Sequence, residues 1–221
     1  MKRIHLCIIT TLLLLSCKKD NSSNSQTITK GSKWGIQIGS SPADVFAQLQ
    51  QVGADKGFDE VAVVYRQAFS KPAQVQSLFK YYNAVTLQTS QGQIERAVIE
   101  LDDNKVKAIN TGGALPSAAT KWPQNVADAL TIHQGDPLST LYLKLVGIFQ
   151  LPQYAGYQII LPNKPLSNPF DPDMANYNEW AFTFTESTSS STSATSAVRL
   201  IFKNGTLNTI RIGYNEGTVY N

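Results

Sequence analysis

The chain has 221 residues, 42% hydrophobic and 16% charged, with a formal net charge of +3. That is enough apolar surface for an ordinary core, as one domain or two small ones. Two cysteines exclude a multi-disulfide framework or a cysteine-based zinc cluster within one chain, and a charge this small gives no argument for nucleic acid.

The N-terminus has Lys2 and Arg3, an apolar run from Ile4 to Leu15, then Ser16-Cys17. A basic start, a short apolar stretch and a small residue before the cut form a secretory signal. The run is too short to span a bilayer, which takes about 20 apolar residues. Leu14-Leu15-Ser16-Cys17 resembles the lipobox of bacterial lipoproteins. By that resemblance residues 1–16 are removed, Cys17 is acylated, and the mature N-terminus sits in a bacterial envelope membrane, in the outer membrane by expectation. Lys18-Lys19-Asp20 partly resembles a surface-export signal, so the periplasmic and surface faces both stay open. Cys7 and the two basic residues leave with the signal. Cys17 is then the one mature cysteine, its thiol consumed, and the basic balance shrinks.

Residues 17–33 are polar and read as a flexible tether. A first unit is expected over 34–111, a connector over 112–127 and a second unit over 128–221. Ser41-Pro42 with Asp44 marks a helix start; Val45, Phe46, Leu49 and Val52 share one face, and Gly53 is a plausible stop. Val61 to Phe69 reads as a strand, Ser70 to Gln76 as polar chain in which a short helix fits, and Leu78 to Gln88 as a second strand. Ile94–Leu101 and Val106–Ile109 flank a turn at Asp102-Asp103-Asn104-Lys105. Gly135-Asp136-Pro137 repeats the helix start, with Asp136 as cap, before a face of Leu138, Leu141, Tyr142, Leu145, Val146 and Phe149. Tyr157 to Leu161 reads as a strand and Pro162 to Asp173 as loop. Trp180, Phe182 and Phe184 alternate with Ala181, Thr183 and Thr185, giving one aromatic and one wet face. Ser187 to Ser196 is Ser or Thr except for Ala194, a polar hairpin tip. Val198–Lys203, Asn204-Gly205 and Leu207–Ile212 make a hairpin with a type I′ signature.

The two halves repeat. Gly39, Val45 and Leu49 align with Gly135, Leu141 and Leu145 at one offset. Ala97, Ile99, Leu101, Val106 and Ile109 align with Val198, Leu200, Phe202, Leu207 and Ile210 at another. The expected fold is α+β: two tandem units, each a helix followed by an antiparallel meander, sharing one longer sheet. Gly39-x5-Val45-x3-Leu49 and Leu-Asp-Asp-Asn-Lys-Val-Lys-Ala-Ile over 101–109 resemble the BamE/SmpA-type lipoprotein unit. Two in tandem look like the β-lactamase inhibitor protein. The resemblance implies a concave sheet face that binds another protein, with no cofactor and no catalysis.

The mature chain's single histidine, His133, sits near Asp136, whose position as a cap argues against a serine–histidine–acid site. Asp171-x-Asp173 with Asn176, Asn178 and Glu179 offers oxygen ligands without the spacing of a calcium loop. No phosphate loop, dinucleotide fingerprint or paired catalytic carboxylate appears. Tyr81, Tyr82, Tyr154 and Tyr157 are the candidate partner contacts, since a phenol suits a surface with one wet and one buried end. The expected activity is protein binding, in envelope assembly or enzyme inhibition; the second reading is a carbohydrate- or small-ligand-binding lipoprotein.

Overall fold

A computed structural model describes residues 25–89, 92–112, 116–189 and 191–218. Cys17 and the leader lie outside the described residues. In chain order the elements are β1 (Ser25–Ile28), β2 (Ser32–Lys33), β3 (Ile36–Gln37), α1 (Pro42–Lys56), β4 (Glu60–Val63), β5 (Ala84–Thr89), β6 (Gly92–Asp102), β7 (Lys105–Thr111), β8 (Ser117–Ala119), β9 (Lys121–Trp122) and β10 (Ile132–His133). They continue with α2 (Leu138–Phe149), β11 (Tyr157–Ile160), β12 (Lys164–Pro165), β13 (Glu179–Ser187), β14 (Thr192–Lys203) and β15 (Thr206–Thr218).

The helices follow local chemistry. Ser41 Oγ accepts from the Asp44 amide at 3.3 Å and donates to Asp44 Oδ2 at 2.7 Å, with Pro42 in the first turn of α1. The helix does not stop at Gly53. It runs on to Lys56, and Gly57 at φ 75° closes it by donating to the Gly53 carbonyl. Gly53 serves packing: an added Cβ there would lie 2.5 Å from the Phe58 carbonyl oxygen and 2.6 Å from Leu166 Cδ1. Asp136 does not cap α2. Its Oδ2 accepts from the His133 amide at 2.7 Å and from Lys144 Nζ at 2.5 Å, and Pro137 leads directly into the helix.

The expected α+β pair of tandem helix-plus-meander units sharing one sheet is overturned. Strand makes up 44% of the described residues against 22% helical, with two α-helices and several antiparallel sheets. The two main sheets are separate. One has the order β1-β15-β14-β13-β4-β12, the other β11-β5-β6-β7-β8. Neither helix covers the meander that follows it. The buried stripe of α1 (Val45, Phe46, Leu49, Val52) packs with Trp180, Phe182, Leu200 and Ile210 of the six-stranded sheet. The stripe of α2 (Leu141, Leu145, Ile148) packs with Leu87, Ile99 and Ile109 of the five-stranded one. Residues 69–161 thus build one core as an insertion between the two segments, 25–63 and 164–218, that build the other.

Backbone bonds at the helix starts explain the crossing. Gly39 donates to the Leu207 carbonyl and Leu207 to the Ser40 carbonyl, at 2.8 and 2.9 Å. Gly135 donates to the Val106 carbonyl and Val106 to the Asp136 carbonyl, both at 2.8 Å. Each helix entry is clasped to the hairpin turn of the other half. The repeat exists locally, but its parts pair across halves.

Smaller differences follow. Residues 25–33, read as tether, include β1, paired to β15, and β2, paired to β3. The connector 112–127 contains β8 and β9. The strand expected from Val61 ends at Val63. The one expected from Leu78 begins at Ala84, after 3₁₀ turns at Pro72–Gln74 and Phe79–Tyr81. The turns at Asp103-Asn104 and Asn204-Gly205 form with positive φ at all four residues.

The two helix glycines should respond differently to alanine. Gly53→Ala meets a fixed carbonyl and should lower stability by about 1–3 kcal/mol. At Gly147 the obstacle is the mobile end of Leu130, so Gly147→Ala should be near neutral, helped by the better helix propensity of Ala. Urea midpoints of the two variants check this.

Candidate functional site

Two features stand out, a buried polar cluster where the chain crosses between the cores and a surface groove beside it. The cluster begins at Tyr65 and Arg66, just past β4. Tyr65 has φ 64° and is 74% exposed, an uncommon pairing of a bulky side chain with left-handed backbone. Arg66 turns inward. Its Nη2 lies 3.0 Å from both Asp171 Oδ2 and Asp173 Oδ2, and its Nη1 donates to the Tyr82 hydroxyl. Tyr82 in turn donates to Asp171 Oδ2 at 2.6 Å. The guanidinium stacks over Tyr82 and Tyr177 at 5.4 and 5.2 Å. Burial disfavours the Arg66 charge, but Tyr82 and Asp171 outweigh it and raise the pKa. Burial, then the bond to Asp171, pushes the Tyr82 phenol well above its ordinary range.

Lys164 completes the cluster. It is fully buried. Its Nζ donates to the Pro165 and Asn168 carbonyls at 2.6 and 3.2 Å and sits 4.6 Å from the Phe46 ring centroid. Burial lowers its pKa to about 8, with Asp171 opposing the shift. Asn83 and Asn168 hydrogen-bond nearby at 2.8 Å. Apart from Arg66 Nε, which is buried without a hydrogen-bond partner, these groups bond to one another and to backbone carbonyls; their chemistry is that of a lock between the inserted and outer segments.

The groove lies on the inserted segment. Phe79, Leu138 and Tyr142 form the apolar walls of a hollow of about 560 Å³, rimmed by Gln76, Ser77 and Ser139. A second hollow of about 210 Å³ shares Phe79, Lys80, Asn104 and Leu138 and ends at Asn83 and Asn168. Leu143, on the same helix, is 67% exposed. Apart from Lys144, α2 carries no charged residue, so its apolar surface extends well past its buried stripe.

The four tyrosines chosen from sequence do not form one surface. Tyr82 and Tyr157 are 3% and 4% exposed. Burial removes both as surface contacts. Tyr154 meets Trp122 edge-to-face and Tyr157 meets it at a tilt, at centroid distances of 5.3 and 5.9 Å. Tyr81 is half-buried beside Lys80, and buried Tyr82 is the one of the four that lines either hollow, the smaller one. Tyr142, which lines the groove, and exposed Leu143 on the same helix had a signal in the sequence: α2 is apolar on more sides than one core can cover. Asp171 and Asp173 face Arg66, and no cluster of three or more His, Cys, Asp or Glu that could hold a metal occurs among the described residues. The His133 ring lies 3.0 Å from Asp128 Oδ1, while Asp136 meets only its backbone amide. The Trp180, Phe182 and Phe184 stripe is core.

No protein-family model matches this chain, and no curated protein or solved structure matches it significantly.

Breaking the lock should be costly. Asp171→Asn leaves Arg66 buried with Asp173 as its one remaining counter-charge and should lower stability by about 3 kcal/mol; Tyr82→Phe, which loses one hydrogen bond, should cost about 1–2 kcal/mol. Denaturant titration of both variants measures this.

Lys164 makes stability depend on pH in a defined direction. The folded chain releases this proton near pH 8 and the unfolded chain near the ordinary 10.5. Between these values the unfolded state binds more protons, so stability rises with pH. Above the ordinary phenol value of 10.0 the raised Tyr82 works the other way. Urea midpoints should therefore climb from pH 8 to pH 10 and lose that climb in Lys164→Met, which keeps the packing against Phe46.

Proposed function

We propose that this chain is an exported, lipid-anchored lipoprotein of the bacterial outer membrane that binds another protein. The anchor is Cys17, on the strength of the lipobox-like Leu14-Leu15-Ser16-Cys17. Among the described residues no helix is long and apolar enough to cross a membrane. The likeness of the Gly39–Leu49 and 101–109 motifs to BamE/SmpA-type units supports the same reading. The observation that carries it is the apolar groove between α2 and the 3₁₀ turn at Phe79–Tyr81, open along its length and flanked by exposed Leu143. Small-molecule sites enclose most of their ligand with convergent polar groups. A shallow apolar trough with a polar rim instead suits an inserted side chain of a partner, the usual anatomy of a protein contact. The chemistry needs no cofactor.

The test is crosslinking in intact cells followed by capture through a tag after Asn221. One dominant protein partner is expected, reduced at least tenfold by Tyr142→Asp or Leu143→Asp, with far-ultraviolet circular dichroism unchanged. Cys17→Ala should release the protein from the membrane or leave its precursor uncut. A retained glycan with no protein partner would overturn the binding-module reading.

A further inference from the structure

We propose that the outer edge of β13, from Thr183 to Ser187, is a strand-addition site for an extended, basic segment of another protein. The proposal rests on the protein-binding reading and places a second contact surface on the outer segments, away from the groove.

β4 pairs with β13 through Val63↔Trp180 and Ala62↔Ala181 and then leaves it. Its next residues turn to β12, with Val61↔Lys164 and Glu60↔Pro165. β13 itself continues in unbroken register with β14 as far as Ser187↔Ser193. Beyond Ala181 its outer edge has no strand beside it among the described residues. The Glu179 carbonyl faces β4, where it accepts from Val64 at 3.0 Å. Alternate residues of an antiparallel strand point their peptide groups the same way. The amides and carbonyls of Thr183, Thr185 and Ser187 therefore face the open side.

Natural edges are blunted by prolines, bulges or lysines. This one has none: β13 over 183–187 is Thr-Phe-Thr-Glu-Ser, and the β13–β14 ladder is regular throughout. Phe182 and Phe184 hold the strand rigid from below by packing with Phe58, at 4.4 and 6.2 Å. Where β4 peels away, a notch of about 430 Å³ opens against Ala181 and Thr183.

The charge of the notch selects the occupant. Asp59 and Glu60 line it, Glu60 accepting from Asn163 Nδ2 at 2.6 Å, and Lys56, next to Gly57 of the lining, is already paired with Glu186 at 2.7 Å. A second copy adding the same edge antiparallel would set the two Glu186 residues on diagonal positions and carry no cation to Asp59. A segment bearing Lys or Arg opposite the notch satisfies both the ladder and the carboxylates.

The test uses the full-length lipidated protein in detergent and a fluorescein-labelled peptide of sequence Lys-Thr-Val-Lys-Val-Thr-Val. Saturable anisotropy and slowed amide exchange at Thr183, Thr185 and Ser187 are expected. Thr185→Pro deletes an outward amide at an edge position that tolerates proline and should weaken binding at least tenfold. Asp59→Lys, at an exposed residue that leaves the ladder intact, should weaken it several-fold. Leu143→Asp should leave it unchanged, so that loss at the edge and loss at the groove are read separately. Absence of peptide binding, or equal binding by Thr185→Pro, overturns the proposal. Concentration-dependent self-association that Thr185→Pro abolishes also overturns it, because the occupant is then a second copy.

Discussion

Two pairs of backbone hydrogen bonds govern this architecture. A helix start leaves its first amides without intrahelical partners, and here the residues just before each helix join a hairpin turn from the other half of the chain. Once Gly39 and Ser40 are bonded to Leu207, α1 can lay its stripe only on the sheet that contains β14 and β15. Once Gly135 and Asp136 are bonded to Val106, α2 must cover β6 and β7. The strand orders then match, β1-β15-β14-β13-β4 against β8-β7-β6-β5-β11. One set is assembled from a continuous insertion and the other from the chain on either side of it. The outer sheet closes by pairing β4 with β13, across the whole insertion, so its contacts carry the loop-closure entropy of that length.

Two apolar cores joined by two crossings would leave their relative placement soft, because apolar contact is not directional. The crossing residues supply direction. Arg66 lies on the outgoing crossing, Lys164 and Asp171 follow the return, and Tyr82 belongs to the insertion. A buried ion pair adds little net stability, yet it is expensive to separate. The cluster thus penalises every arrangement of the two segments but one. The smaller hollow of the groove ends at the Asn83–Asn168 hydrogen bond, beside this cluster. The shape of that hollow therefore depends on the buried charges beside it.

Much of this was legible residue by residue. Ser41-Pro42 starts a helix, Asn204-Gly205 and Asp103-Asn104 turn, and Trp180, Phe182 and Phe184 alternate into a core. Each rests on local chemistry that tertiary structure did not override. The pairing of helix with sheet was illegible because the two helices bear similar apolar stripes, and periodicity says that a face is buried without saying against what. The polar cluster was illegible for a related reason. Tyr82 and Asp171 stand 89 residues apart, and a buried phenol reads like an exposed one until its partner is known. The excess apolar surface of α2 was visible as Leu138, Tyr142 and Val146. Only the packing shows that Leu141, Leu145 and Ile148 take the core while Leu138 and Tyr142, partly buried against it, line the groove.

The register of the outer sheet also constrains how the proposed anchor presents the molecule. Ser25 stands level with Gly213, Ala197 and Thr183 across β15, β14 and β13. The seven residues between Cys17 and Ser25 reach at most about 25–30 Å at roughly 3.5 Å per residue. On the proposed lipid anchor, the end of the sheet bearing Thr183 to Ser187 is therefore the end held near the bilayer. The opposite end, with Asn204-Gly205 and the entry to α1, points away. Among the described residues that end of β13, β14 and β15 is rich in Ser and Thr, with Glu186 and Glu216 as its acids, so those residues offer no apolar face to sink into lipid and no cationic one to bind anionic headgroups. A membrane-near edge with neither property is better suited to a protein strand than to the bilayer itself. A partner reaching it would itself have to lie close to the membrane.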